Sequence, residues 1–423
     1  MSVVVGRAQP FTITIPDSQI EILNSKLANA TFPTEPQDAA WSMGAPLADI
    51  KRLANHWHQE FSWRKAEKQL NSYPQYTVPV KVPNFEELEI HYIHQRSKRE
   101  NAIPLLFIHG WPGSFFEVLK LLPLLTDPKD PNVPAFHVVA PSLAGYAWSQ
   151  YPSRRGFGLK QHAEVLHGVM KACGYESGYV SQGGDWGGFL CRLVSKLFPE
   201  SVKAVHTNFP VHQFPKPWKN PISFAQAIGG IALSSQIRGD LAHTQKYFTE
   251  GDGYLKEQDT KPQTLGYGLT DSPVALLAWI YEKLHDWTDS YPWTEDEVCT
   301  WISIYAFSRE GPSASTRIYY ESAHPCGEGA VSRMDVINMY IPDVPLALAY
   351  FPQEIAKLPK AWAWSNGPIV QQTTFDAGGH FAAFEVPELL AGDLRKLFGP
   401  GGPCEGVVKG KRGFGRTAEI DRT

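Results

Sequence analysis

The sequence predicts an α/β fold in which a mostly parallel central sheet is covered by helices on both faces. Short strand-like runs at 105–108, 136–141 and 202–208 alternate with segments of helical periodicity, a pattern typical of buried parallel strands. Between about 215 and 338 these runs give way to helical segments rich in Trp and Tyr. We expect those segments to form a helical lid inserted into the sheet domain.

The first 95 residues form a predicted N-terminal extension that is helical at first and extended later. Residues 18–21 have the Ser-x-x-Glu spacing of a capping box, which predicts that the first helix begins there. The stretch 89–94 alternates like a strand. A second helix is indicated by apolar residues at spacings of three and four, namely Leu47, Ile50, Leu53, Trp57 and Phe61.

The remaining boundaries follow from changes in composition along the chain. We predict the first part of the sheet domain at 96–214, the lid at 215–338 and the second part of the sheet domain at 339–399. This second part contains a strand at 344–350, a last strand near 370–375 and a closing helix at 387–398. Residues 400–423 are Gly-rich and mildly basic, and we expect them to be a flexible tail.

Composition narrows the classes of partner and cofactor. A net charge of -4 argues against a nucleic-acid or anionic-membrane partner. The five cysteines are scattered without a Cys-x-x-Cys pair, as in reduced thiols of a cytoplasmic protein. No stretch approaches the ~18 apolar residues of a membrane span, so we expect no membrane anchor. The sequence lacks HExxH, P-loop and GxGxxG motifs, and we expect neither a metal nor an organic cofactor.

Residues 182–188 have the Gly-x-nucleophile-x-Gly spacing of a nucleophile elbow, a sharp turn between a strand and a helix. Gly183 and Gly187 supply the small neighbours that such a strained turn requires. Asp185 stands where most elbows carry Ser. A Ser nucleophile attacks carbonyl carbon, whereas an Asp attacks an electrophilic saturated carbon and forms an alkyl ester. The elbow therefore predicts chemistry at a saturated carbon.

The partners of the nucleophile are predicted from chain order, because the acid and then the histidine follow the nucleophile in folds with this elbow. Glu354 comes just after a buried strand, and His380 follows the last core strand. Both therefore lie at the carboxyl edge of the sheet, where open α/β sheets bind ligands. Asp376 is the second choice for the acid, while Asp343 precedes its strand and lies at the wrong end.

The loop 109–112 follows an early strand and is the expected place of an oxyanion hole. Its donors would be the backbone N–H groups of Trp111 and of Trp186, the residue after the nucleophile. If the substrate were an epoxide, ring opening by Asp185 would leave an alkoxide that a neutral acid such as Tyr could protonate. The residue pattern alone does not select among the many lid tyrosines.

Several motifs in this order resemble the microsomal-type epoxide hydrolases, an α/β-hydrolase family, over about residues 10–398. The resemblance implies an α/β-hydrolase fold with a helical lid insertion and an N-terminal extension. It also implies hydrolysis of a small apolar epoxide, with water, to a vicinal diol. The matching stretches are 61–64 with 70–71, 109–114, 141–146, 183–187, 271–273, 351–354 and 378–381.

The resemblance further implies roles for individual residues. Asp185 is similar to the nucleophile of the family, His380 to its general base and Glu354 to its charge-relay acid. Tyr254 and Tyr319 match the two lid tyrosines that donate to the epoxide oxygen, although the adjacent Tyr320 leaves the second assignment open. The chain is more similar to soluble members than to animal members with an N-terminal anchor. A homodimer is a further expectation from the family.

Two other functions remain open at this point. A haloalkane or haloacid dehalogenase also uses an elbow Asp and a His base, and would need donors such as Trp N–H groups to stabilise the halide. A non-catalytic ligand-binding member of the fold would be expected to lack part of the triad, whereas this sequence offers every member.

Overall fold

Ten strands form one sheet in the computed structural model, which describes residues 3–415. They are β1 (Val4–Val5), β2 (Gln9–Pro10), β3 (Gln75–Lys81), β4 (Glu87–Gln95), β5 (Ile103–Ile108), β6 (Phe136–Pro141), β7 (Tyr179–Gly183), β8 (Val202–Thr207), β9 (Leu346–Tyr350) and β10 (Ile369–Thr374). Their order across the sheet is β1-β3-β4-β6-β5-β7-β8-β9-β10, and β2 also pairs with β3.

The sheet has a parallel part and an antiparallel part. Strands β6, β5, β7, β8, β9 and β10 pair in parallel. Strands β1 to β4 are antiparallel to their neighbours, and β4 joins them to β6. The predicted mostly parallel sheet is therefore confirmed. The four strands of the predicted N-terminal extension, β1 to β4, also belong to this sheet.

The helices fall into three groups along the chain. Three of them precede β3, eight lie between β8 and β9, and the others cover the sheet. They are α1 (Asp17–Ala28), α2 (Leu47–Gln59), α3 (Trp63–Leu70), α4 (Leu122–Thr126), α5 (Leu159–Ala172), α6 (Trp186–Leu197), α7 (Pro221–Leu233), α8 (Ser235–Lys246), α9 (Gly253–Thr260), α10 (Pro262–Asp271), α11 (Pro273–Asp286), α12 (Glu295–Ala306), α13 (Arg317–Ala323), α14 (Arg333–Ile337), α15 (Ala382–Glu385) and α16 (Pro387–Phe398). Helices α7 to α14 are the predicted helical insertion.

The N-terminal helices pack on the lid. The Trp57 indole of α2 donates to the Ser303 hydroxyl of α12 at 2.9 Å. Arg52 pairs with Glu295 at the start of α12. Because α2 and α12 are far apart in sequence, these contacts are tertiary and attach the N-terminal region to the lid. Within the described residues, no helix combines the length and apolar character needed to cross a bilayer.

The start of α1 differs from the expected capping box. The helix begins at Asp17, Pro16 precedes it, and the Gln19 amide donates to the Pro16 carbonyl at 3.0 Å. Ser18 therefore lies inside the first turn, and the predicted cap there is wrong. Proline is already restricted to a φ suited to the start of a helix, and the Asp17 carboxylate interacts favourably with the helix dipole.

The described part of the C-terminal segment packs against the sheet domain. Cys404 is buried, and the Gly413 carbonyl accepts a hydrogen bond from the Ala135 amide at 2.9 Å. Residues 416–423 of the predicted flexible tail, 400–423, lie outside the described residues. Its boundary and those of the other predicted domains remain predictions.

Candidate active site

Asp185 occupies the turn between β7 and α6 at the carboxyl edge of the sheet. Its φ of 49° and ψ of -126° lie in a sparsely populated region that costs on the order of 1–3 kcal/mol for a residue with a side chain. Small neighbours make the turn feasible, since a Cβ on Gly187 would collide with the Ile108 carbonyl and one on Gly110 with the Asp185 side chain. The strained turn projects the Asp185 carboxylate above the sheet.

Two backbone amides contact this carboxylate. The Trp111 amide donates to Asp185 Oδ1 at 2.8 Å, and the Trp186 amide is a second backbone donor that lowers the Asp185 pKa. Burial is the largest influence and raises the pKa of Asp185, while the charge of His380 and the two amides oppose it. The result is a poorly solvated carboxylate, which is a stronger nucleophile than a carboxylate in water.

The His380 side chain lies between the carboxyl groups of Glu354 and Asp185. Glu354 Oε1 lies 2.6 Å from His380 Nδ1, and His380 Nε2 lies 3.7 Å from Asp185 Oδ2. The Ile355 amide also donates to Glu354 Oε1, at 2.7 Å. The structure therefore brings the three predicted triad residues together. Asp376, the second choice for the acid, is exposed.

The loops that carry Glu354 and His380 are held by backbone contacts. Glu354 follows β9 and His380 follows β10, and Gln353 forms an isolated parallel bridge with Gly379 between the two loops. The His380 amide donates to the Trp287 carbonyl at the end of α11, at 2.9 Å. A Cβ on Gly379 would collide with that carbonyl, so the close approach depends on glycine.

The protonation of His380 is set by opposing effects. Burial lowers its pKa, but the charge of Glu354, the hydrogen bond to it, and the charges of Asp185 and Glu117 together raise the pKa to about 9. At neutral pH the imidazole of the resting protein is therefore protonated and faces the Asp185 carboxylate. Loss of the Asp185 charge would remove one of the effects that raise the His380 pKa.

Two lid tyrosines lie beside the Trp111 and Trp186 side chains that flank Asp185. Tyr254 is 6% exposed and its ring stacks on Trp111 at a centroid distance of 5.1 Å. Tyr319 is 2% exposed and contacts the Trp186 ring edge-on at 4.8 Å. Burial raises the pKa of both phenols well above its usual value. Both hydroxyls therefore remain protonated at neutral pH and can donate a proton.

The adjacent side chains of Tyr319 and Tyr320 point to different sides of α13. Tyr319 faces Trp111, Trp186 and Tyr254. The Tyr320 hydroxyl instead accepts a hydrogen bond from Arg155 Nη2 at 3.1 Å on the outer side of α13. The structure thus places Tyr319, and not Tyr320, on the side of the elbow.

Three residues at the site were not predicted from the sequence. The Tyr247 hydroxyl lies 2.7 Å from the Tyr254 hydroxyl. The Trp287 ring contacts the His380 ring edge-on at 5.0 Å. Glu117 is a buried carboxyl whose pKa is influenced by the charges of both His380 and Asp185. Tyr247 and Tyr254 lie in a π-helical turn, Tyr247–Gly251, and in α9, which are separated at Asp252, so regular helical spacing does not predict their contact. No pattern distinguishes Glu117 from a surface glutamate.

Comparisons with known proteins agree with this geometry. Residues 8–118 match the family model described as epoxide hydrolase N terminus, and residues 103–247 match that described as alpha/beta hydrolase fold. Epoxide hydrolase 1 of Sus scrofa is 32% identical over 415 residues, covering 92% of this chain and 88% of that protein.

Solved structures of epoxide hydrolases are also similar to this chain. The structure of Aspergillus niger epoxide hydrolase is similar with a TM-score of 0.78 and 33% identity, covering 91% of this chain and 94% of that one. Juvenile hormone epoxide hydrolase from the silkworm Bombyx mori has a TM-score of 0.80 and 28% identity, covering 92% and 93%. The chain therefore belongs to the epoxide hydrolase family of the α/β-hydrolase fold.

Proposed function

We propose that this protein hydrolyses epoxides to vicinal diols through an ester on Asp185. The observation that carries the proposal is the pair of buried phenols, Tyr254 and Tyr319, beside a carboxylate nucleophile. An epoxide oxygen needs a proton donor when the ring opens, whereas a halide leaving group does not. The two phenols therefore favour an epoxide substrate over a haloalkane.

In the first step Asp185 attacks one epoxide carbon from the face opposite the ring oxygen. The C–O bond to that carbon breaks, and its electron pair remains on the oxygen as an alkoxide. Tyr254 or Tyr319 donates its phenolic proton to this oxygen, which leaves a hydroxyalkyl ester and a phenolate. Protonated His380 supplies the proton that restores the phenol, and the imidazole becomes neutral.

Alkylation also prepares the base for the second step. The ester on Asp185 is uncharged, so one of the charges that raise the pKa of His380 is lost. Neutral His380 then takes a proton from water, and the hydroxide attacks the ester carbonyl carbon of Asp185. Glu354 stabilises the imidazolium that forms, through the contact at 2.6 Å.

The Trp111 and Trp186 amides stabilise the oxyanion of the tetrahedral intermediate. Loss of a single donor of this kind costs roughly 10²–10³ in rate in other hydrolases. The alkoxide of the diol leaves with a proton from His380. The Asp185 carboxyl, which now carries the oxygen from water, returns its proton to His380 and restores the resting ion pair. Over the cycle one epoxide and one water give one diol.

Substrate, location and assembly are finer parts of the proposal. The aromatic rings around the nucleophile, from Trp111, Trp287 and Tyr319, support a small apolar epoxide as substrate. A cytoplasmic location is supported by the free cysteines, which form no disulfide among the described residues. A homodimer remains an expectation from family resemblance.

The test is to trap the ester with His380→Gln. This variant retains the nucleophile and both phenols, so alkylation by styrene oxide should proceed, whereas hydrolysis should slow by roughly 10²–10⁴. Mass spectrometry of the peptide that carries Asp185 should detect the added mass of one epoxide. His285→Gln is a matched control, because His285 is partly exposed on α11 and pairs with Asp286.

The control should form diol at the wild-type rate without accumulated ester. An unmodified Asp185 peptide in His380→Gln after prolonged exposure to the epoxide would overturn the two-step scheme. Halide release from chloroalkanes without diol formation from epoxides would favour a dehalogenase instead.

A further inference from the structure

A third phenol lies next to one of the two phenols that donate to the epoxide oxygen. The Tyr247 hydroxyl lies 2.7 Å from the Tyr254 hydroxyl, and either oxygen can be the donor. Burial raises the pKa of Tyr247 above its usual value, and the charges of Asp185 and Glu354 add to the increase. Tyr247 is therefore protonated at neutral pH and lies close enough to the reacting groups to be influenced by their charges.

The position of Tyr247 depends on contacts between α8 and the loop that carries Glu354. Near the end of α8, His243 Nε2 lies 3.1 Å from the Glu354 carbonyl oxygen, and the Thr244 hydroxyl donates to the Lys357 carbonyl at 3.0 Å. The Lys357 amide in turn donates to the Thr244 hydroxyl at 2.9 Å. Tyr247 follows directly after α8, so these contacts fix its position relative to the triad.

A wide helical turn directs the Tyr247 side chain. Residues Tyr247–Gly251 form the π-helical turn between α8 and α9, a rare geometry that is frequent at functional sites. A Cβ on Gly251 would lie 3.1 Å from Tyr247 Cδ2, so the glycine leaves room for the ring. The turn thus brings the Tyr247 hydroxyl to Tyr254 of α9.

The hydrogen bond between the two phenols can run in either direction, because a hydroxyl has one proton to donate and two lone pairs that accept. In the resting protein burial raises the pKa of Tyr254 well above its usual value, the contact with Tyr247 adds to the increase, and a hydrogen bond from Tyr319 opposes it. Tyr254 therefore keeps its proton until an epoxide is bound. Once that proton points to the epoxide oxygen, the contact persists only if Tyr247 is the donor.

The contact becomes stronger as the epoxide ring opens. When the proton of Tyr254 moves to the epoxide oxygen, the phenolic oxygen of Tyr254 becomes negatively charged. A hydrogen bond to a charged oxygen is roughly twice as strong as one between neutral groups. An interaction that strengthens in the transition state raises the rate of that step. Tyr247 can supply this interaction because it is protonated.

We propose that Tyr247 is a positioning residue for ring opening, which directs the proton of Tyr254 to the epoxide oxygen and then donates a hydrogen bond to the Tyr254 phenolate. This inference rests on the proposed function and deepens its first step. The electron pair of the breaking C–O bond stays on the epoxide oxygen, which takes the Tyr254 proton. Tyr247 keeps its own proton, and His380 returns one to Tyr254, so no additional reactant is required. Tyr254, rather than Tyr319, is then the phenol that loses its proton.

The experiment measures ester formation in Tyr247→Phe, Tyr254→Phe and the double variant, by rapid quenching of a single turnover of propylene oxide. Tyr247→Phe removes only the hydroxyl, so ester formation should slow roughly 5- to 20-fold, while ester hydrolysis should stay within about twofold of wild type. In the Tyr254→Phe background the same change should have no further effect, because Tyr247 acts through the Tyr254 hydroxyl. Tyr267→Phe is the matched control, since Tyr267 is 71% exposed on α10, and it should behave as wild type.

A second substrate separates this function from a purely structural one. (Trifluoromethyl)oxirane has the same reacting ring as propylene oxide, but its fluorine atoms withdraw electrons from the alkoxide that forms. A less basic alkoxide needs less help from an acid, so with this substrate the loss in Tyr247→Phe should fall to within about threefold. A Tyr254 side chain that had merely moved out of place would slow the two substrates equally.

Three results would overturn the inference. The first is ester formation from propylene oxide in Tyr247→Phe within about twofold of wild type, and the second is an equal loss with the two epoxides. The third is a further loss when Tyr247→Phe is added to Tyr254→Phe, which would show that Tyr247 acts on the substrate directly. Failure of the proposed function would look different, because no ester would then form on Asp185 in His380→Gln.

Discussion

Glu354→Gln is the substitution that most directly tests how the structure activates His380. The contact between Glu354 Oε1 and His380 Nδ1 is 2.6 Å, and the two side chains are 3% and 1% exposed. Solvent therefore screens this pair little. Gln retains the shape and an oxygen that can accept from both His380 and the Ile355 amide. The substitution thus removes the charge of Glu354 while retaining its contacts.

The size of the effect follows from the charge-assisted hydrogen bond. Such bonds contribute about 1.5–3 kcal/mol, and about 1.4 kcal/mol corresponds to a tenfold change in rate. Because the imidazolium forms during water attack, ester hydrolysis should slow roughly 10- to 150-fold. Ester formation should change less, since Asp185 and the two phenols are unaltered.

The pH dependence should shift in a defined direction. Burial lowers the pKa of His380, and the charge of Glu354 is the first of the effects that raise it to about 9. Without that charge the His380 pKa falls, so the neutral base persists to lower pH. The acidic limb of the hydrolysis rate should therefore move to lower pH, while the plateau of that rate decreases.

The assay is a single turnover with enzyme in excess, in which ester is followed by mass spectrometry and diol by chromatography across the neutral pH range. Asp376→Asn is the matched control, because Asp376 is an exposed carboxylate just before His380, and it should behave as wild type. The reasoning would be refuted by a Glu354→Gln hydrolysis rate within about twofold of wild type with an unshifted acidic limb.

Two further variants test the first step. Changing Tyr254 and Tyr319 together to Phe should slow ester formation by roughly 10²–10⁴, because no neutral acid then protonates the alkoxide. The control Tyr320→Phe should have little effect on this rate. Rapid-quench measurement of the ester compares the two variants, and a small loss in the double variant would contradict the acid assignment. Asp185→Ala should abolish diol formation from styrene oxide, as measured by chromatography, and residual catalysis with the same diol product would indicate another nucleophile.

The parts of the site that depend on chain order could be predicted from the sequence. The elbow spacing around Asp185 is local, and the loops after parallel strands must meet at one edge of the sheet. Glu354 and His380 follow β9 and β10, so their proximity was predictable without knowing side-chain packing. Their contact at 2.6 Å agrees with that expectation.

Other features depend on packing that has no local signature. Glu117 has the residue type of a surface position, and only the fold of the Trp111 loop buries it. The choice of Tyr319 over Tyr320 depends on the rotational phase of α13, which an adjacent pair of identical residues does not reveal. The pairing of β4 with β6 joins segments separated by β5, and residue pattern does not specify such non-local partners.

The attachment of α2 to α12 has a consequence for protein engineering. Trp57, Arg52 and His56 contact α12 through an indole donor, an ion pair and an imidazole–carboxylate contact. A chimera that received its lid from a relative, with crossovers only at the two ends of the insertion, would combine α12 from one parent with α2 from the other. Recombination designs for this enzyme should therefore take α2 and the lid from the same parent.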